Sequence, residues 1–147
     1  MLIAALLMIQ AAPPAIQTCL DGSVIRATDQ CMIMPDHRLP VFKLFFDSGS
    51  SEIRREWEEE IDKAVARFPG AGTRYRVDAY SDTPGSAAAN RRIAALRAKV
   101  VAAGLRQRGV GDDRISVLIH GEDRLLVPTA QGVREIQNRR VEIMAFP

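Results

Sequence analysis

Downstream of residue 40 the chain switches repeatedly between two hydrophobic periods. Val41, Phe42, Leu44, Phe45 and Phe46 form a short apolar run bounded by Asp47, Ser48, Gly49, Ser50 and Ser51. This predicts a strand buried on both faces and central in a sheet. Ser50 or Ser51 is placed to cap the next element, in which Ile53, Trp57, Ile61, Ala64, Val65 and Phe68 recur at helical spacing. Pro69 and Gly70 stop that helix.

Tyr75, Val77 and Ala79 alternate with Arg74, Arg76 and Asp78, the period-2 pattern of a half-buried strand, and the turn residues 81–85 end it. Ser86 caps a long helix that runs to about Arg108, stops at Gly109 and presents Ile93, Leu96, Val100, Val101 and Leu105 as apolar contacts. Its alanine content predicts close packing on a sheet. Ile115, Val117 and Ile119 alternate again, as do Val141, Ile143 and Ala145. The connection over residues 121–138 is long for a hairpin and has helix-compatible residues at 133–137, which predicts a short extra helix there. The element order is βαβα followed by two strands.

The region before residue 41 has a different character. Residues 1–9 are almost purely apolar and residues 10–15 are small or turn-forming, the pattern of a secretory leader, although no Lys or Arg precedes the apolar run. The run cannot span a membrane, which takes about 20 apolar residues. Cys19 and Cys31 enclose a polar, turn-rich stretch, and in an exported protein that pattern predicts a disulfide. Closing so short a loop stabilises by about 3 kcal/mol in the chain-entropy model. A lipid anchor on Cys19 is the competing reading, but Ile16, Gln17 and Thr18 make a poor lipoprotein signal and acylation would leave Cys31 unpaired. Residues 35–40, with a proline at each end, form the bridge to the domain at 41–147.

At 147 residues and 47% hydrophobic content, the chain supports one ordinary core plus a leader. A net charge of +2 requires no polyanionic partner, and 5% aromatic residues leave little stacking surface for nucleic acid. Arg106 and Arg108 belong to a solvated helix face.

One residue breaks the pattern. Arg97 lies four positions after Ile93 and four before Val101, so it shares the apolar face of its helix. A buried guanidinium without a partner costs several kcal/mol. Asp82, in the loop after the second strand, is the obvious internal partner. Spacing alone admits both a structural salt bridge and a charge-complementary ligand pocket at the strand end. Arg139 is in phase with Val141 and Ile143, which directs a third charge toward the helix-covered face.

Ser81, Asp82, Thr83, Pro84, Gly85 and Ser86, then Asn90, Arg97, Ala98, Val101, Leu105, Gly109 and Val110, and finally residues 138–143, Asn-Arg-Arg-Val-Glu-Ile, resemble the OmpA-like C-terminal domain. That family includes outer-membrane proteins, peptidoglycan-associated lipoproteins and flagellar stator subunits. The resemblance covers residues 41–145 with every motif in order. It implies an α/β two-layer βαβαββ sandwich, with a mixed four-stranded sheet covered by helices. It also implies periplasmic, non-catalytic binding of peptidoglycan through the diaminopimelate of the peptide stem.

By that resemblance Asp82 holds the diaminopimelate ammonium and Arg97 its carboxylate. Asn90, Arg139 and Ser81 support the site, the backbone at Ser48 and Gly49 lines the other wall, and Asp47 is a further candidate. A fixed carboxylate beside a fixed guanidinium complements an amino-acid end group, which carries both charges close together. The sequence departs from the family pattern at Ala79, Tyr80 and Ser81, where Gly-His-Thr is usual, and at Ile93 and Ala94, where Leu-Ser is usual. Ser81 keeps a hydroxyl. Gly121, Glu122 and Pro128 lie further apart than the family's equivalents, implying a variant loop.

A hydrolase would need a nucleophile with a base, paired carboxylates or a metal set. His37, in the linker, and His120, expected as a surface residue at a strand end, are too isolated for that and lack zinc-ligand spacing. No cofactor or metal is implied. A non-enzymatic alternative remains: an envelope scaffold domain in which Asp82 and Arg97 bridge only each other.

Overall fold

The computed structural model describes residues 16–18, 24–26 and 40–146. The expected leader, the Cys19–Cys31 pairing and His37 lie outside the described residues. Strands β1 (Ile16–Thr18) and β2 (Val24–Arg26) pair antiparallel, with Gln17 opposite Ile25. Three-residue strands are too short to register as a hydrophobic period, which is why the turn-rich reading of this stretch did not contain them. This hairpin and the unit that begins at Arg38 are separate compact units.

The larger unit runs β3 (Val41–Phe45), α1 (Arg55–Arg67), β4 (Arg74–Tyr80), α2 (Ala87–Gln107), β5 (Ile115–Gly121) and β6 (Arg140–Phe146). Its sheet has the order β3-β6-β4-β5, with β4 and β5 parallel and the other pairs antiparallel. The βαβαββ order and the mixed four-stranded sheet agree with the sequence pattern. Both helices pack on the face carrying Leu44, Val77, Ala79, Val141, Ile143 and Ala145, and one core joins them.

The position of β3 corrects an expectation. It is an edge strand paired only with β6, and Val41 is 41% exposed. Two-sided burial requires two covered faces, whereas here Leu44 faces the core and Val41 does not. Phe45 instead packs edge-on against Trp57 at 5.3 Å.

α1 also starts later than expected. Arg54 occupies its N-cap without a side-chain bond, and Ser50 Oγ accepts from Glu52 N in the preceding turn. Glu56 and Glu58 in the first turn complement the positive end of the helix dipole.

α2 follows its sequence signals closely. Ser86 Oγ accepts from Ala89 N at 3.2 Å. At the other end, Gly109 N bonds Arg106 O and Val110 N bonds Leu105 O, a Schellman ending that needs the φ of +83° at Gly109. The buried stripe is Ala94, Ala98, Val101, Ala102 and Leu105, joined by Arg97, while Leu96 is 46% exposed. Small alanines therefore take contacts expected of larger residues, and the helix lies close to the sheet. At Gly104 a Cβ would stand 2.8 Å from Ile61 Cδ1, so α1 and α2 approach at a residue without a side chain. On the edge strand β5, Ile115 and Ile119 pack on the core but Val117 stays 44% exposed.

The other sheet face carries polar residues that bind one another. Asp78 is buried, accepts from Arg76 Nε at 2.9 Å and lies 3.0 Å from His120 Nε2. His120 stacks on Tyr80, and Arg140 covers the other side of the Tyr80 ring at 3.8 Å while pairing with Glu142. His120 is thus a structural partner of a buried carboxylate near a strand end, more covered than the surface position expected of it. His120 stands at the register shift after Ala79, where Tyr80 pairs with Gly121.

The long β5–β6 connection contains one 3₁₀ turn, Ile136–Asn138, in place of a fuller helix. Asn138 is fully buried and organises the loop: its Oδ1 accepts from Leu126 N and Val127 N at 2.8 and 2.9 Å, and its Nδ2 donates to Val127 O at 2.8 Å. Replacing it leaves backbone groups unpaired. Asn138→Ala should lower unfolding stability by about 2–3 kcal/mol in urea denaturation. A loss under about 0.5 kcal/mol, the level of a neutral surface change, would mean the loop holds its shape without Asn138.

Candidate functional site

The site gathers at one end of the sheet, where β4 runs out into the 81–86 loop, α2 passes overhead, and the turns after β3 and before β6 close the sides. Arg97 is 1% exposed. Its Nε donates to Ser50 O at 2.9 Å, Nη1 to Tyr80 O at 3.3 Å and Nη2 to Asp47 O at 3.1 Å. Its guanidinium also sits over the Phe46 ring at 5.3 Å. All of its hydrogen-bond partners are carbonyls, so among the described residues no carboxylate neutralises it.

The expected Asp82–Arg97 bond is therefore corrected. Asp82 Oδ2 accepts from Arg139 Nη1 at 2.8 Å and from Glu135 N at 3.4 Å. Arg139 precedes β6, and its Nε donates to Phe46 O at 3.0 Å, which aims its fork across the sheet end at Asp82. The competition is geometric, since Arg139 reaches Asp82 from the side while three carbonyls hold Arg97 beneath it. The charges still act on one another. Burial pushes the Arg97 guanidinium down to about 10, Asp82 raises it and Arg139 lowers it further. At neutral pH Arg97 stays charged.

Asp47 contributes its carbonyl to Arg97, while its carboxylate is bound on the outside by Arg54, with one bond of 2.9 Å from Nε. Ser48 and Gly49 form the turn closed by Ser50 N on Asp47 O at 3.1 Å. Asn90 is buried, and its Nδ2 donates to Glu122, joining α2 to the end of β5. It braces the wall without pointing at Asp82. Ser81 donates its N–H to Gly121 O at 2.8 Å, and its buried Oγ has no partner among the described residues.

The sequence pattern did not reveal the part played by the β5–β6 loop. The Thr83 hydroxyl lies 2.9 Å from Ala130 O and 3.2 Å from Val133 O, and Gln131 Nε2 donates to Thr83 O at 2.7 Å. Residues 130–135 thus flank Asp82 directly. Thr83, adjacent to Asp82 in the recognised motif, was the only local signal of this contact.

Chemically, the site offers a buried cation with free N–H donors, beside a carboxylate whose Oδ1 accepts no hydrogen bond among the described residues. A guanidinium has five donors, and Arg97 uses three of them. Among the described residues there is no cluster of His, Cys, Asp and Glu suited to a metal ion, and no helix long and apolar enough to cross a membrane.

A two-layer βαβαββ sandwich with charged residues at the end of its central strands defines a class of small α/β domain. Residues 45–139 match the OmpA family, and the chain belongs to it. An outer membrane protein of Gluconacetobacter diazotrophicus is 34% identical over 110 residues, 70% of this chain and 29% of the relative. The peptidoglycan-associated lipoprotein of Pseudomonas aeruginosa is 29% identical over 102 residues, 67% of this chain and 59% of the relative. The chain thus spans less than two thirds of either relative. The crystal structure of the peptidoglycan-associated lipoprotein from Burkholderia pseudomallei superposes with a TM-score of 0.64 at 19% identity, covering 71% of this chain and 89% of that one. This last likeness establishes the shared fold.

The pairing pattern can be measured. A double-mutant cycle of Asp82→Ala with Arg139→Ala should give a coupling of about 2–3 kcal/mol, and one of Asp82→Ala with Arg97→Ala about 1 kcal/mol or less. The reverse order would restore the Asp82–Arg97 bridge.

Proposed function

We propose that this domain binds peptidoglycan without cutting it, taking the diaminopimelate of the peptide stem between Asp82 and Arg97. The observation that carries the reading is the uncompensated guanidinium of Arg97 beside a carboxylate with an open oxygen, in a chain of the OmpA family. The ammonium of the ligand bonds Asp82 Oδ1 and its carboxylate takes the free donors of Arg97. Arg139 holds the Asp82 carboxylate in place. Each ligand charge meets a fixed opposite charge, and no proton moves. The name of the Pseudomonas relative supports this assignment. On this reading the domain works in the periplasm and tethers an envelope component to the wall.

Because Arg97 is almost fully covered, binding requires a local movement that exposes the guanidinium. The scaffold alternative depends on a bond between Asp82 and Arg97, whereas Asp82 bonds Arg139.

Purified sacculi containing diaminopimelate provide the test. Wild type should co-sediment, free diaminopimelate should displace it where lysine does not, and Asp82→Ala or Arg97→Ala should weaken binding about 30-fold or more. The proposal fails if wild type stays in the supernatant, or if both variants, folded by circular dichroism, bind as wild type does.

A further inference from the structure

The opposite end of the domain carries a second feature that the wall-binding reading does not use. Tyr75 lies near the start of β4 and Asp82 just beyond its end, seven residues of extended chain or about 20 Å away. Around Tyr75, the end of α1, the end of α2 and Arg114 just before β5 border an open groove of about 400 Å³. Its apolar wall comes from Val65, Phe68, Pro69 and Val110, and its polar lining includes Tyr75 and Arg114.

The polar groups are arranged unequally. Arg108, also in the wall, is neutralised by Asp62 at 2.6 Å and donates to Gly104 O and Glu58 O, so it is part of the framework. Arg114 donates only to carbonyls, Gly109 O at 3.0 Å and Gly70 O at 3.4 Å, and forms no ion pair among the described residues, even with its neighbour Asp113. Arg67 and Arg74, at the same end, likewise form no ion pair among the described residues, and Arg67 lies over the Phe68 ring at 4.9 Å. Tyr75 is 3% exposed, and its hydroxyl, which is not cut off from solvent, bonds no described residue. Tyr75 and Arg114 line the same groove, and while burial raises the pKa of the Tyr75 phenol the Arg114 charge draws it down.

We propose that this groove is a second binding site, for the carboxyl-terminal end of a partner polypeptide whose last side chain is apolar. The carboxylate would take the free donors of Arg114 and the Tyr75 hydroxyl, and the side chain would fill the hollow over Phe68 and Val110. A phosphate or sulfate has no use for the apolar wall. A long acyl chain needs an enclosed channel, whereas this groove lies open to solvent. A terminal residue offers one negative charge on a compact apolar body, which matches both halves of the groove. The site is independent of the wall-binding reading, and together they would let the domain hold a partner at one end and its ligand at the other.

The test uses the full chain and a fluorescein-labelled hexapeptide ending in phenylalanine, followed by anisotropy. The free acid should bind saturably. The C-terminal amide, and the acid on Arg114→Gln or Tyr75→Phe, should bind about tenfold more weakly or worse. Asp82→Ala, at the far end, should bind as wild type does. The inference is overturned if the acid shows no saturable binding up to a concentration on the order of 1 mM, or if the amide or Arg114→Gln binds equally well. Binding to anionic phospholipid vesicles in preference to the peptide would also overturn it, assigning the groove to a membrane surface.

Discussion

A cation buried under a helix, with carbonyl oxygens as its only bonded partners among the described residues, is the constraint around which this domain is arranged. Ionised groups in a protein interior are normally paired because desolvation costs several kcal/mol. Arg97 is instead solvated by the backbone of two separate segments, the turn after β3 and the end of β4. Those carbonyls fix where the segments lie, so the same bonds that make the cation tolerable also shape the cover over it. Full neutralisation by a carboxylate would leave a stable helix contact with little affinity for an anion.

Asp82 is kept from providing that neutralisation by Arg139, which bonds it from the start of β6. The division separates the two charges into distinct roles. Arg139 orients the carboxylate, Glu135 N supports it from the long loop, and Arg97 keeps donors in reserve. Loop residues 130–135 complete the surroundings through Thr83 and Gln131, and Asn138 holds that loop in shape. A variant loop therefore acts on the site through defined hydrogen bonds to the residue next to Asp82.

The two sheet faces solve the burial problem differently. One receives both helices, with alanines on α2 and Gly104 allowing close approach. The other carries Asp78, His120, Arg76, Tyr80, Arg140 and Glu142 in a mutually satisfied set. Such a network needs every partner in place, and His120 joins it at the displaced register at the end of β4. The same irregularity ends regular pairing just before Ser81 and Asp82, where the candidate site begins.

Local pattern alone determined a good part of this protein. The alternation at Tyr75, Val77 and Ala79, the Ser86 cap and the Gly109 stop each act over a few residues, and all appear as the sequence indicates. The misplacement of Arg97 on an apolar helix face was legible for the same reason, since helical phase depends only on spacing. Its partners were not legible. Whether Asp82 bonds Arg97 or Arg139 depends on how four segments meet at the sheet end, and side-chain reach across that junction has no signature in spacing. The edge position of β3 is a similar case, because an apolar run reads the same whether one face or two are covered. Sequence thus determined which residues carried charge into the core, and the tertiary structure decided, through side-chain reach at the sheet end, which of them have an ionic partner among the described residues.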